Sequence, residues 1–209
     1  MRAPSIQLPA LLCLLALAAP AGAREALVAA AREQIGVTVG YDPAYRALAF
    51  PGGDVPPETG VCTDVVVRAL RAGRGIDLQK VIHEDMKAHW HAYPHSRRWR
   101  SSKPDPNIDH RRVPNLMTYF ERSGYALPLS RRAPDYLPGD IVAWDLGGGI
   151  LHIGIVGDSR DAGATPLIIH NIGAGAREED ILFRHTIIGH YRLPADADSA
   201  SADSDVAAH

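Results

Sequence analysis

The chain has 209 residues, 46% of them hydrophobic and 22% charged, with a formal net charge of -2. That is an ordinary globular composition, long enough for one domain with a sizeable core. The near-balanced charge gives no electrostatic footprint for nucleic acid as the main partner.

The first stretch, MRAPSIQLPALLCLLALAAPAGA, carries one charge, at Arg2, and an apolar run from Leu8 to Ala19. Ala21-Gly22-Ala23 fits a small-x-small cleavage site, so residues 1–23 read as a secretory signal peptide, too short and wrongly flanked for a membrane span. A lipoprotein anchor does not fit, because Leu12 precedes Cys13 where a small residue is needed. Cleavage near Ala23 removes Cys13 and leaves Cys62 alone. In an oxidising compartment a spare thiol is oxidised or cross-linked, so this one is either buried and inert or a nucleophile.

Residues 24–35 place Leu27, Val28, Ala31 and Ile35 on one helical face that stops at Gly36. A Gly- and Pro-rich loop with one short helical turn follows, up to Gly60. Residues 62–72 return to helix with Val65, Val66, Ala69 and Leu70 as the buried stripe and Gly73 behind it. Asp77 caps a third helix running to about Trp90, with Leu78, Val81, Ile82 and Met86 inward. The chain is irregular and basic from Pro94 to Pro114, then helical over 115–124 and stopped by Gly124. After Pro138 the period becomes strand-like: GDIVAWD, LHIGIVGD, PLIIHNI, DILF and IIGHYRL are short, β-branched and separated by turn residues. GAGAR, 173–177, reads as a hairpin loop and no phosphate site. Helices first and antiparallel strands after predict an α+β domain over 24–193. Residues 194–209 are small and acidic and predict a disordered tail.

The chemistry centres on GVCTDVV. A thiol at a helix N-terminus lies beside unpaired N–H groups and the positive end of the macrodipole, which lowers its pKa towards thiolate and offers an oxyanion site. Such a nucleophile needs a base and a group that orients it. His152, beside Gly154 near the start of a strand, has room for an approaching substrate. His170, on the next strand, is placed to hydrogen-bond its far ring nitrogen across the ladder. Two other clusters compete for a role. Among His83, His89, His91 and His95, the last two have the i,i+4 spacing of metal ligands, but Pro94 interrupts the helix and Lys87 breaks the zincin pattern. A solvated polar face is the better reading, so no metal and no cofactor is expected. Asp109, His110, Arg111 and Arg112 form either a structural ion-pair network or a substrate site in which Arg111 or Arg112 grips a carboxylate bidentately.

A helix-opening Cys followed by PGDIVAW, HIGIV and IIHN resembles the NlpC-type cell-wall cysteine peptidases of the papain-like superfamily. YDPAY, GVCTDVV, IDHRRVPNL, PGDIVAW, HIGIV and HNIGAG together resemble a bacterial family catalogued as domain of unknown function 1287, over about residues 26–193. The resemblance implies a papain-like α+β fold, Cys62 as nucleophile, His152 as base, His170 as orienting residue and Tyr41 as an oxyanion-site candidate. Where those peptidases have Ser and Gly after the Cys, this chain has Thr63 and Asp64. The implied activity is amide cleavage by acyl transfer on peptidoglycan stem peptides in the periplasm or envelope. The alternatives are a non-catalytic envelope-binding module on the same scaffold and a histidine-cluster metalloenzyme.

Overall fold

The computed structural model describes residues 22–95 and 102–195. The signal peptide and acidic tail expected at the two ends lie outside the described residues, apart from Gly22, Ala23, Pro194 and Ala195.

Leu27, Val28 and Ala31 of α1 (Gly22–Arg32) are buried in the same core as α2 (Cys62–Arg74), on which α1 packs. The two helices approach closely at Gly73, where a Cβ would lie 2.6 Å from the Ala26 carbonyl oxygen. Gly73 is therefore a packing position and not the expected helix stop, because any side chain there would push α1 away. The helix continues to Arg74 and turns at Gly75. Val65, Val66, Ala69 and Leu70 are fully buried, and each large side chain of that stripe contributes roughly 1.5–3 kcal/mol. Asp77 caps α3 (Leu78–Ala88), its carboxylate accepting the Gln79 N–H at 3.2 Å. α4 (Val113–Arg122) begins before Asn115 because Pro114 sits in its first turn, where no N–H is needed.

The loop between α1 and α2 contains a small parallel pair, β1 (Gly40–Tyr41) with β2 (Thr59–Gly60). The main sheet comprises β3 (Ile141–Asp145), β4 (Leu151–Arg160), β5 (Pro166–Asn171), β6 (Ala176–Glu179) and β7 (Thr186–Tyr191). Its order is β6-β5-β4-β3-β7 and every pairing is antiparallel. Alternate residues separate two cores, as the strand period requires. Ile141, Ala143, Ile153, Ile155 and Ile169 pack with the four helices. Val142, Trp144, Val156 and Ile168 pack on the other face with Tyr136, Ile181 and Leu182. The chain is thus a mixed α+β domain. DILF is not a strand: Ile181 and Leu182 are buried from a turn, and the edge strand is the polar Ala176–Glu179 in what was expected to be loop. Charged residues suit an edge, where they oppose sheet-to-sheet pairing. No helix among the described residues is long and apolar enough to cross a membrane.

Candidate functional site

Cys62 is the first residue of α2, with Val61 at the N-cap. Asp64, in the first turn, accepts the Val61 N–H at 2.6 Å, a placement that suits the positive helix end. Buried Arg111 holds the same carboxylate, Nε to Oδ1 at 3.0 Å and Nη2 to Oδ2 at 3.0 Å. Its Nη1 and Nη2 also donate to the carbonyls of Ala44 and Asp42, both at 2.9 Å. The Arg111 fork is committed to the fold: it ties the loop after Tyr41 to the first turn of α2. Of the two readings of the Asp109–Arg112 cluster, the geometry builds the structural network at Arg111. Asn171 of β5 completes the mounting, its Nδ2 donating to the carbonyls of Gly40 at 3.1 Å and Gly60 at 3.0 Å.

These supports surround a pocket of about 400 Å³ lined by Tyr41, Cys62, Arg111, Arg112, Val113 and Leu151, among others. The thiol is 4% exposed. Burial pushes it up to about 11, against the backbone N–H of Ile153 and then those of Thr63 and Cys62 itself, with Asp64 adding to the rise. The lowered pKa expected of a helix terminus is therefore overturned. A helix end is worth about 0.3–1 kcal/mol, less than one pKa unit, whereas full desolvation moves a group by several units. The Tyr41 phenol is pushed up to about 12, by burial first and then by Cys62 and Asp64.

His152 and His170 rise from the sheet face that carries Trp144, whose ring centroid lies 5.8 Å from that of His152. His152 Nε2 and His170 Nδ1 are 2.9 Å apart, and His170 Nε2 is 3.1 Å from Glu179 Oε2. Both imidazoles are buried. Burial lowers the His152 pKa to about 3, with His170 and His185 adding to the shift. Burial also lowers His170, although Glu179 opposes it. The room expected at Gly154 for a substrate is taken: a Cβ there would meet Ile168 Cγ2 at 2.8 Å and His170 Cβ at 3.0 Å. That glycine serves the packing of β5 on β4. No hydrogen bond joins Cys62 to His152 among the described residues; the link between thiol and strand is the Ile153 N–H, one residue along.

The remaining candidates separate. Asp109 is buried, accepts the Asp105 N–H, and lies 3.7 Å from His83 Nδ1 and 3.8 Å from Arg112 Nη1. Burial pushes its carboxyl up to about 6, against the Asp105 N–H and Arg112. It does not line the pocket, whereas Arg112 does. α3 ends at Ala88, so His91 falls in a short 3-10 turn (Trp90–Ala92) and His95 meets the Trp90 ring at a tilt, centroids 4.3 Å apart. No group of three or more His, Cys, Asp or Glu among the described residues is placed to hold a metal ion. Asp64, Asn171 and Glu179 are functional neighbours that sequence reasoning missed. An acid at the third position of a helix signals the first. Alternation along β5 signals the second, since the residue after His170 must face the helices. Glu179 had no signal, lying beyond a segment expected to be loop.

Fold and site together define an α+β domain that mounts a buried thiol at a helix start, against a strand whose other face carries a histidine pair. The chain belongs to the family described as domain of unknown function (DUF1287), whose model matches residues 28–193. The uncharacterized protein YijF of Escherichia coli (strain K12) is 55% identical over 167 residues, 80% of each chain. No solved structure matches the chain.

Proposed function

We propose that this protein is an exported cysteine hydrolase of NlpC-type papain-like architecture that cleaves an amide bond by acyl transfer. The observation that carries the reading is Cys62 in a pocket at the start of α2, its sulfur facing the N–H groups of Ile153 and Thr63 and the phenol of Tyr41. The buried imidazole of His152 is next along β4 from Ile153 and projects from the other face of the sheet, with Trp144.

At rest the thiol and the imidazole are both neutral, because burial opposes charge on each. The reading requires His152 Nδ1, which rises from the Trp144 face, to pass the start of β4 and reach the sulfur when substrate fills the pocket. The Cys62 proton then passes to His152 while the sulfur attacks the carbonyl carbon. The carbonyl oxygen becomes an oxyanion facing the N–H groups around the sulfur. Collapse breaks the C–N bond, and the proton on His152 leaves with the amine. Water, deprotonated by His152, then attacks the thioester and releases the acid and the thiol. Arg112, on the pocket wall, is the group for a substrate carboxylate. Peptidoglycan stem peptides, rich in carboxylates and met by a chain with a secretory leader, are the proposed substrate.

Mature protein incubated with sacculi and with soluble muropeptides, beside a Cys62→Ala control, tests this by mass spectrometry of the products. Cleavage within stem peptide or cross-link, lost in the control, supports the reading; no cleavage of either substrate removes the peptidoglycan assignment. The raised thiol and the missing Cys62–His152 hydrogen bond favour a second reading, an envelope-binding module with an idle thiol. Under that reading Cys62→Ala and wild type retain sacculi equally and neither cuts them.

A further inference from the structure

Glu179 lies at the far end of a hydrogen-bonded series whose donors and acceptors, with both rings neutral, constrain the proton positions. A carboxylate only accepts, so the atom of His170 facing Glu179 Oε2 at 3.1 Å, Nε2, carries a proton. His170 is buried and its pKa is lowered, so the ring is neutral and has one N–H. Its Nδ1 is then a lone pair, and that lone pair faces His152 Nε2 at 2.9 Å. Two lone pairs do not face each other at that distance, so His152 Nε2 is the protonated nitrogen. His152 is likewise neutral, which leaves Nδ1 as its basic atom. That nitrogen makes no hydrogen bond among the described residues.

We propose that Glu179 is a positioning residue that, through His170, holds His152 in the Nε2–H tautomer and thereby presents Nδ1 as the base. As a base for the Cys62 thiol this rests on the hydrolase reading; the tautomer assignment does not. Glu179 stands on edge strand β6 with its side chain 39% exposed, so it is open to substitution without burying a new group. Nothing in a Cys–His–His pattern points to it, because position 179 is joined to the histidines only by the pairing of β6 on β5.

The test uses neutral resting protein with its histidines labelled with nitrogen-15, in which long-range proton–nitrogen correlation spectra show which ring nitrogen is protonated. Wild type is expected to give Nε2–H at both His152 and His170. Glu179→Gln, which retains an acceptor oxygen, is expected to keep that pattern. Glu179→Leu is expected to give mixed tautomers at both rings while the melting temperature stays close to wild type. Nδ1–H on His170 in wild type, or unchanged tautomers in Glu179→Leu, overturns the proposal. Turnover measured alongside is expected to fall at least about tenfold in kcat for Glu179→Leu, with KM unchanged and recovery in Glu179→Gln. Tautomers as stated with no turnover in wild type would strike the hydrolase reading and leave the positioning role of Glu179 supported.

Discussion

One sheet carries two histidine–carboxylate arrangements, and they differ in how they end. On β7, His190 Nε2 meets Asp140 Oδ2 at 2.7 Å, and Arg192 reaches both oxygens of that carboxylate at 2.6 Å. The Leu137 N–H also donates to Asp140, and Tyr136 stacks on His190 at 4.3 Å. Burial alone would raise the Asp140 carboxyl, yet Arg192, His190 and Leu137 hold it below its ordinary range. Three donors reach Asp140 Oδ2 and one reaches Oδ1, the carboxylate is fully buried, and the second ring nitrogen of His190 is buried without a hydrogen-bond partner among the described residues. On β4 and β5, by contrast, the carboxylate of Glu179 reaches solvent, and the histidine it meets is hydrogen-bonded in turn to a second imidazole. A histidine beside a carboxylate therefore says little by itself. The arginine-held arrangement clamps the 137–140 turn to β7, while the other runs from a buried imidazole through a second one to a carboxylate at the surface.

Crossed substitutions are the strongest way to break that contrast. Asp140→Ala strands a buried histidine and an arginine, and is expected to cost about 3–5 kcal/mol of stability. Turnover per folded molecule should stay close to wild type. His152→Ala is expected to reverse the pattern, lowering turnover by about 10²–10⁴-fold with less than half of that stability loss. Melting curves and kinetics on both variants decide; equal stability losses would erase the distinction.

Acid titration sharpens the same comparison. An unfolded histidine takes a proton near pH 6.5, whereas His152 in the fold refuses it until about pH 3 and His110 until about pH 4. The unfolded state binds more protons across that window, so both contributions are present above pH 6.5 and lost as pH falls. Asp109 runs the other way: its folded pKa of about 6 exceeds the ordinary 3.8, so its contribution is full below 3.8 and lost as pH rises through 6. The histidines outnumber it, and stability is expected to drop by a few kcal/mol, on the order of one pKa unit or two per group, between pH 7 and pH 4. His152→Gln should flatten that slope in thermal melts, and an unchanged slope would show that His152 is not held neutral.

Two smaller effects probe the helical side. Gly73→Ala forces α1 from α2 and is expected to cost about 1–3 kcal/mol by overpacking, visible in urea midpoints. The alkylation midpoint of Cys62 with iodoacetamide is expected above the roughly 8.5 of a free thiol, near the 11 that burial imposes. A midpoint below the free value would mean that the helix terminus wins after all.

The helices and four of the five long-sheet strands were legible because their signals are local. Leu27, Val28 and Ala31 repeat at helical spacing, Asp77 is a cap, and Val142, Trp144, Ile153 and Ile155 alternate. The edge strand was not legible, since Ala176–Glu179 forms by pairing with β5 and has almost no apolar side chain of its own. In the site, the placement of Cys62 at a helix start was readable, but its pKa was not. A helix position is a property of six or seven neighbouring residues, whereas burial depends on β4, α4 and the 41–44 loop converging from far along the chain. The same holds for Arg111: a dense charged run was visible, but that its fork closes on Asp64, 47 residues away, required the fold.

Neighbouring residues His170 and Asn171 point to opposite sides of β5, one to the imidazole pair and the other to the carbonyls of Gly40 and Gly60 that precede the thiol. Because successive side chains alternate, a slip of β5 by a single residue turns each to the opposite face. Such a slip would take His170 away from His152 and Asn171 away from the carbonyls of Gly40 and Gly60, breaking both sets of contacts at once. The mounting of the thiol and the imidazole pair therefore stand or fall together with the native register of β5.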